Sequence, residues 1–498
     1  MKKEAKAGKP DQRLGVDLDR NRILLREKLW NSADLTFRPV EIGGIEACFV
    51  LIEGMCSLFK LGDALIRPLS ERVFPSGQAL FDFVGGSALV GDVKPVCTFE
   101  EVIQKATSGF AVLLIQGVAG GLALGAQSFP YRSVSEPNGE VNEKGAKESF
   151  TEPLKVNLTL IRRRMKSGQV AFEELEVGTT TKTGACLVYS PQAVSGEVLS
   201  EVRKRLLKVP LELVLDVGYL KPFLEGKPLS LFSEVGMTER PDTLCAKILE
   251  GRVAILLDGT PHALIVPCLF TENFQSFDDY CSRPYFATFI RLLKYGAFFL
   301  SILLPGLYVA VATFHPAVLP HALLFNITAA DEATPFPLMI EALVIHLIFE
   351  IMREAGLRLP RPVGQAVGIV GALVIGDAAV TAGIIGAPMV MIVALTAISS
   401  FVVPSLYAPG VILRFLFILL GGWTGLYGIS LALGVLLVNV CQIRNLGVPF
   451  TAPVSPVTPK ALRDVFWRAS WKKMTKPEKI QNLRGSEASR KPMGKEKK

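Results

Sequence analysis

The strongest constraint on the fold is a long segment that is almost free of charge. Residues 292–454 contain 12 charged side chains in 163 positions, six of each sign. Uncharged stretches of about 20 residues are long enough to cross the ~30 Å hydrocarbon core of a bilayer as helices. The segment therefore indicates a membrane protein and excludes a single soluble domain.

The remaining charge is unevenly distributed along the chain. Residues 1–291 carry 35 Lys and Arg against 36 Asp and Glu, whereas residues 455–498 carry 13 against 4. The formal net charge of +8 therefore arises at the end of the chain, which excludes a basic nucleic-acid-binding globule. The start, residues 1–22, has no apolar core of the kind that a secretory signal requires. We therefore expect residues 1–290 to stay in the cytoplasm.

The polar head that precedes the apolar segment has the mixed pattern of an α+β fold. Short aliphatic runs alternate there with amphipathic segments. We interpret it as a cytoplasmic region of two α+β lobes, followed by an all-α polytopic transmembrane domain and a basic C-terminal tail. The expected regions are a flexible polar leader at 1–28, an N-terminal lobe at 29–132, a second lobe at 148–290, the transmembrane domain at 291–454 and the tail at 455–498. A hydrophilic loop, 133–147, joins the lobes.

Two glycine-containing turns in the head indicate β-hairpins. Aliphatic runs at 253–257 and 263–266 flank Asp258-Gly259, a strong hairpin signal that makes Asp258 a turn residue. The turn 117–121 follows another apolar run, but its glycine spacing fits no phosphate-binding loop. We interpret it as a second hairpin. Helices are predicted at 99–107, 148–165 and 194–207.

Three consecutive arginines, Arg162, Arg163 and Arg164, end the second of these helices. Consecutive residues point in different directions around a helix, so at most two of the guanidinium groups can bind one anion. A solvated or phospholipid-facing helix end and an acidic partner surface both fit this pattern. The three arginines are therefore candidates for partner or membrane contact.

The head offers no arrangement that is typical of catalysis or of metal binding. Its one histidine, His262, lies in the predicted hairpin, and the eight cysteines of the chain include no C-x-x-C pair. No Ser/His/Asp or Cys/His arrangement is visible. We expect no enzyme, no cofactor and no metal site.

The apolar segment contains several candidate membrane crossings. Strong stretches lie at 295–313, 363–387, 389–407 and 415–443, and a weaker one at 338–352. The basic tail is expected on the cytoplasmic side with the head, so complete crossings should be even in number. The alternatives are four crossings with a buried half-helix, or six with 415–443 folded back. Pro305 in the first stretch predicts a kink and a freed carbonyl that needs a protein partner.

Charged residues within the apolar stretches are the most informative candidates for function. Each costs roughly 2.5–3.5 kcal/mol at a helix centre, so none should face lipid. The acidic candidates are Asp377, Glu341 and Glu350. Their candidate partners in gating or ion pairing are Arg353, Glu354 and Arg358. The pattern fits a helix-bundle ion-pair network, and it also fits an acidic, water-lined pathway for cations, in which a ring of Asp377 carboxylates would give selectivity.

The tail combines aromatic and basic residues. Trp467 and Trp471 lie among arginines and lysines, a mixture that is typical of an anionic membrane surface. We expect both tryptophans to contact the lipid bilayer or a partner, and we expect no nucleic-acid partner.

Several motifs, in order, resemble those of one known family. They include Thr238-Glu-Arg-Pro-Asp242, Leu249-Glu-Gly-Arg252, Pro335-Phe-Pro337, the run 349–362 and the run 370–379. In these words the chain resembles the A subunit of the GerA-type spore germinant receptors, over roughly residues 30 to 470. His346 stands where a glutamate is common in that family.

The resemblance implies a multi-pass protein of the spore inner membrane, with its N-terminal region and tail in the cytoplasm. Its implied partners are a transporter-like B subunit, a lipoprotein C subunit and further copies of itself. It implies a homo-oligomeric, nutrient-gated cation channel that triggers spore germination. A substrate transporter and a non-conducting membrane scaffold of the receptor are the alternatives, although no convincing inverted repeat supports a transporter.

Overall fold

The computed structural model describes residues 13–70, 72–86, 92–128, 139–140, 142–226, 230–360 and 376–483. Most of the expected leader, part of the loop 133–147, the first part of the stretch 363–387 and the end of the basic tail lie outside the described residues. Within the described residues, an α+β head precedes a helical region.

The first sheet of the head is built by residues 18–124. Its elements are α1 (Leu18–Lys28), β1 (Leu35–Ile42), β2 (Ile45–Ile52), α2 (Gly77–Gly86), β3 (Val93–Val96), α3 (Phe99–Ala106), β4 (Ala111–Ile115) and β5 (Gly121–Leu124). Neighbouring strands are antiparallel, in the order β1-β2-β4-β5-β3. Helical turns at Leu58–Leu61, Gly62–Ile66 and Arg67–Ser70 precede α2.

The second sheet repeats this topology. Its elements are α4 (Leu154–Arg164), β6 (Ala171–Val177), β7 (Thr183–Tyr189), α5 (Gly196–Leu207), β8 (Gly236–Thr238), α6 (Pro241–Leu249), β9 (Val253–Leu257) and β10 (Ala263–Val266). The antiparallel order is β6-β7-β9-β10-β8. In both halves of the head, the elements therefore follow the same order along the chain: helix, hairpin, helix, strand, helix and second hairpin.

Each sheet and its helices form one unit of the head. An asparagine holds the same backbone turn in both units. Asn21 in α1 accepts a hydrogen bond from the N–H of Gly15 (2.9 Å) and donates one to its carbonyl (2.8 Å). Asn157 in α4 does the same with Thr151, at 2.7 and 2.5 Å. Both asparagines are buried. The two units thus share side-chain contacts as well as strand order.

The turn that joins the last two strands of each unit is also equivalent. The N–H of Gly117 donates to the carbonyl of Val16 at 2.9 Å, and the N–H of Gly259 donates to that of Glu152 at 2.8 Å. The two glycines have φ of +85° and +90°, a region that favours glycine over residues with a Cβ. Each turn therefore binds the segment that leads into the first helix of its own unit.

The leader predicted at 1–28 is wrong over its second half, because residues 18–28 form α1. Asp17 caps this helix by accepting hydrogen bonds from Asp19 and Arg20 N–H. Leu25 is buried in the core beneath the first sheet. Polar residues outnumber apolar ones in this segment, so its narrow apolar stripe was not recognised as a helix in the sequence.

The head elements predicted from the sequence are otherwise close to those observed. The hairpin strands 253–257 and 263–266 have the predicted bounds, and the turn 117–121 joins β4 to β5 as a hairpin. Thr98 and Glu101 form a capping box at the start of α3. Helix α4 begins six residues later than predicted, since the preceding turn is held by Asn157 and ends at Pro153.

The helical region comprises five helices longer than ten residues among the described residues. They are α7 (Pro284–Phe314), α8 (His321–Glu332), α9 (Leu338–Arg358), α10 (Ala387–Phe401) and α11 (Tyr407–Gln442). Two helical runs, Pro284–Phe314 and Pro404–Gln442, are long and apolar enough to cross a membrane. Helix α10 has 15 residues, fewer than the ~20 that a straight crossing needs.

Helix α11 is broken at Gly425, where φ is +64° and ψ is −149°. Gly410 near its start lies beside Ile302 of α7, and Gly425 lies against Phe314 at the far end of α7. Beyond the break, Ile443 is back among the aromatic residues at the base of α7. The chain therefore reverses direction, which favours the folded-back alternative for 415–443. The number of complete crossings stays a prediction.

The chain after α11 returns to the head. Strands β11 (Arg444–Asn445) and β12 (Val448–Pro449) form a small antiparallel pair. Further along, Ile480 and Leu483 are buried in the core of the second sheet. The described part of the basic tail is thus packed onto the head, which the sequence did not predict.

Candidate functional site

Glu350 on α9 is the centre of a buried cluster of polar groups in the helical region. Its carboxylate accepts hydrogen bonds from the hydroxyl of Tyr407 (2.7 and 2.9 Å), from Arg353 Nε (3.2 Å) and from Arg414 Nη1 (3.3 Å). The Arg353 guanidinium also lies 4.0 Å from the centre of the Tyr407 ring. Three donors from two helices therefore hold this predicted site residue.

Arg414 connects the cluster to α7, the first of the two helical runs that are long and apolar enough to cross a membrane. Its side chain is 1% exposed, and its Nε donates to the main-chain carbonyl of Ser301 at 2.9 Å. Ser301 lies four residues before Pro305, which has no N–H to offer that carbonyl. Arg414 is thus the partner that the carbonyl freed by Pro305 was expected to require. Its burial costs several kcal/mol unless such bonds compensate it.

The other predicted partners on α9 lie closer to its C-terminal end. Arg358 forms an ion pair with Glu354 at 2.7 Å, and Arg353 lies 3.9 Å from the same carboxylate. The Arg358 side chain is 79% exposed. Such exposed pairs are worth ~0–1 kcal/mol, so they contribute much less to helix packing than the buried contacts of Glu350.

Glu341 lies two and a half turns before Glu350 on the same helix. Its side chain is buried and accepts a hydrogen bond of 2.7 Å from the N–H of Gly386, the residue before α10. A carboxylate is favoured there because the first N–H groups of a helix point at it. His346, between the two glutamates, is also buried, with its ring 6.5 Å from that of Phe415.

Asp377 lies apart from the Glu350 cluster. It belongs to a helical turn, 376–381, whose Ala379 packs against a hydrophobic cluster that includes residues of α7, α9, α10 and α11. The Asp377 side chain is exposed in the single chain. The structure therefore places Glu341 and Glu350 inside the helix bundle and Asp377 on its surface.

A small polar pocket adjoins Arg414. Its polar lining comes from Ser301, Ser399, Ser400 and Tyr407, and it has room for about one water molecule. A site of this size suits water or a small ion, and it excludes an organic nutrient. In the described residues, no group of three His, Cys, Asp or Glu side chains is arranged to hold a metal ion.

The arginine run of the head divides between two anions. Arg163 and Arg164 share the Glu148 carboxylate, at 3.2 and 2.7 Å. Arg162 is fully buried, and its guanidinium binds both oxygens of Asp34, at 2.6 and 3.0 Å. The expectation that Arg162 contacts a partner or the membrane is corrected here, because the side chain joins the second unit to the first.

The tail lies along the base of α7. Phe466 packs against Tyr295 with ring centres 5.2 Å apart, and the Trp471 indole N–H donates to the carbonyl of Tyr280 at 3.1 Å. Trp467 and Trp471 are 51% and 57% exposed. This position keeps two aromatic side chains accessible next to the start of a helix that is apolar enough to cross a membrane.

A second buried ion-pair network fixes the tail to α7. Arg291, fully buried, binds Asp279 at 2.7 Å and Asp464 at 2.7 Å. The Tyr280 hydroxyl also donates to Asp464, at 2.8 Å. Burial, together with the negative charge of Asp464, raises the pKa of Tyr280 well above its usual value.

Arg414 and Tyr407 were missed as site residues. Arg414 lies between the apolar stretches 389–407 and 415–443 and was not among the candidate residues. One signal was available, because the carbonyl freed by Pro305 requires a donor within the membrane. No spacing in the sequence identifies which residue supplies it.

Comparisons with known proteins agree with the motif resemblance. The profile of the family described as "Bacillus/Clostridium GerA spore germination protein" matches residues 24–480. Spore germination protein KA of Bacillus subtilis is 37% identical over 92% of this chain and 85% of its own. Spore germination protein B1 of the same organism is 35% identical, over 91% and 94%.

Two further matches are a relative that spans most of the chain and a solved structure of an N-terminal domain. Spore germination protein GerLA of Bacillus cereus is 33% identical over 89% of this chain and 91% of its own. The crystal structure of the N-terminal domain of the A subunit of the Bacillus megaterium spore germinant receptor GerK3 matches with a TM-score of 0.41 and 28% identity, over 53% of this chain and 99% of that one. On the strength of the profile and the full-length relatives, the chain belongs to the GerA family of spore germination proteins.

Proposed function

We propose that this chain is the A subunit of a nutrient (germinant) receptor that triggers spore germination. The observation that carries this proposal is the family match over residues 24–480, which spans both the head and the helical region. Full-length relatives named as spore germination proteins support it. The receptor lies in the spore inner membrane as a multi-pass protein, with its two-lobed head and its tail in the cytoplasm.

The receptor complex contains further subunits. A transporter-like B subunit and a lipoprotein C subunit are the proposed partners, and the chain associates with copies of itself. Trp467, Trp471, Arg163 and Arg164 offer accessible groups for partner or bilayer contact. The domain boundaries predicted from the sequence are retained, except that α1 belongs to the first lobe.

The oligomer forms a nutrient-gated cation channel. Glu341 and Glu350 on α9, together with Asp377 after it, provide carboxylates for a cation pathway, as rings of acidic side chains do in cation channels. Glu341 and Glu350 lie about 13 Å apart along the helix. Two acidic positions at different depths fit a pathway with successive sites.

A non-conducting scaffold of the receptor is the second candidate. One observation favours it: Glu350 is held by three donors and contributes to helix packing. In that case Glu341→Gln and Asp377→Asn would leave nutrient-triggered ion release unchanged.

Potassium release from spores tests the proposal. Spores that lack this chain are compared with parent spores over a panel of amino acids, sugars and nucleosides. The receptor function predicts loss of release to one nutrient class, with the other triggers intact. Normal release to every nutrient would contradict it. Asp377→Ala, at parental protein amount, is then expected to slow release if the pathway includes this residue.

A further inference from the structure

We propose that Arg414 is a tethered cation that closes the inner part of the pathway at Glu350 in the resting receptor. The inference rests on the proposed cation-channel function, and it assigns a gating role to a residue that the pattern of acidic side chains did not identify. It follows from the position of the guanidinium, its contacts and the local charge.

The position of Arg414 is within the apolar region. Ser301, whose carbonyl it binds, lies six residues beyond Tyr295, so the guanidinium is about 9 Å into the apolar stretch of α7. The side chain is 1% exposed and points into the helix bundle. A permeating cation that reached Glu350 would have to share this space with a fixed positive charge.

The contacts of Arg414 join three helices. It belongs to α11 and donates hydrogen bonds to the Ser301 carbonyl of α7 and to the Glu350 carboxylate of α9. The Ser301 carbonyl is free for this bond because Pro305 cannot donate to it. A relative movement of α7, α9 and α11 therefore separates Arg414 from at least one of its acceptors.

The local charge disfavours cations in this arrangement. Glu350 faces two guanidinium groups, those of Arg353 and Arg414. Arg353 also lies 3.9 Å from Glu354, so Arg414 is the arginine that Glu350 does not share with a second carboxylate. A second cation near this carboxylate is repelled as long as both arginines remain in place. Withdrawal of Arg414 leaves Glu350 with one arginine and the Tyr407 hydroxyl, which makes its carboxylate available to a potassium ion.

The test measures potassium loss from intact spores that carry receptor variants, without any nutrient. Arg414→Gln keeps a polar side chain but removes the charge, and we expect unstimulated potassium loss to rise at least about tenfold. Arg444→Gln is the matched control, because this arginine, just after α11, is exposed and lies outside the Glu350 cluster. We expect it to match the parent.

A double variant separates gating from packing. Glu350→Gln with Arg414→Gln removes both charges, so we expect the leak to return to the parental rate while nutrient-triggered release stays slow. If the pair is only structural, the double variant instead responds normally to nutrient. Arg414→Lys retains the charge and is measured if Arg414→Gln does not accumulate in spores. A lysine binds the Ser301 carbonyl and the Glu350 carboxylate less well than an arginine, so we expect a leak at least about threefold above the parental rate.

Two outcomes overturn the inference. One is a parental leak rate in both Arg414→Gln and Arg414→Lys at parental protein amounts. The other is a normal nutrient response in the double variant. Failure of the channel proposal itself is recognised separately, because Glu341→Gln and Asp377→Asn then leave nutrient-triggered potassium release unchanged.

Discussion

Arg414 donates a hydrogen bond of 2.9 Å to the main-chain carbonyl of Ser301, the oxygen that Pro305 leaves without a helical donor. A proline in a membrane helix is tolerated when a neighbouring group satisfies the freed carbonyl. Here that group is a buried arginine on another helix, whose second contact is the carboxylate of Glu350. One side chain thus satisfies a backbone defect and a buried charge together.

This double contact predicts a large effect of Arg414→Ala on stability. The change leaves the Ser301 carbonyl without a donor and removes one of the two arginines that bind the Glu350 carboxylate, which is 15% exposed. We expect the free energy of unfolding to fall by ~2–4 kcal/mol. Denaturation of the full chain in nanodiscs measures it, with Arg358→Ala, expected within ~0.5 kcal/mol of the parent, as control. Equal effects of the two variants would contradict the assignment.

The ion pair between Arg162 and Asp34 predicts an asymmetric response to substitution. Arg162→Ala leaves Asp34, 3% exposed, as an unpaired buried charge, and we expect a loss of ~3–5 kcal/mol. Arg163→Ala is the control, because this partly exposed side chain shares Glu148 with Arg164. Replacing both partners, as Arg162→Met with Asp34→Leu, is expected to recover most of the loss. A double variant no more stable than Arg162→Ala would be inconsistent with this account.

The two asparagine turns predict matched effects. Asn21→Ala leaves the half-buried N–H and carbonyl of Gly15 without their partner, and Asn157→Ala does the same to the buried Thr151, so we expect each to cost about 1–3 kcal/mol. Asn482→Ala, at an exposed position in the tail, is expected to change the free energy of unfolding by less than ~0.5 kcal/mol. Chemical denaturation of the full chain compares the three. A clear effect of one asparagine and none of the other would show that the two turns are not equivalent.

Glu272 predicts a loss of stability in acid. Burial raises its pKa, but Arg252 and Lys247 outweigh burial and lower the pKa to about 2, below its ordinary value of 4.5. Because the folded-state pKa is the lower one, the stabilisation is present above pH 4.5 and is lost as the pH falls from 4.5 towards 2. We expect Glu272→Gln to be less stable than the parent at pH 7 and to lose less stability over this acid range. Parallel pH profiles for the two proteins would refute the prediction.

The sequence predicted the elements that depend on nearby residues. The Asp258-Gly259 hairpin has both its strands and its turn within 14 residues, and Thr98 caps a helix that begins at the next residue. The uncharged stretch 295–313 is helical for the same reason, since its apolar composition alone makes it suitable for a membrane.

Contacts between distant segments could not be predicted in this way. Helix geometry predicted that at most two arginines of the run bind one anion, and two of them do share Glu148. It could not predict the partner of Arg162, which lies 128 positions earlier in the chain. Arg414 and Ser301 are 113 positions apart. Such pairs form because helices and sheets from distant parts of the chain pack together. A local sequence pattern does not depend on that packing and cannot predict it.

The return of the tail to the head has a consequence for biosynthesis. Ile480 and Leu483 complete a core that also contains Val253 and Leu264 of the second sheet. A chain emerges from the ribosome N-terminal end first, and its domains generally fold in that order. The second unit therefore reaches its final packing only after the whole helical region has been synthesised, so completion of this core reports that translation has passed Leu483.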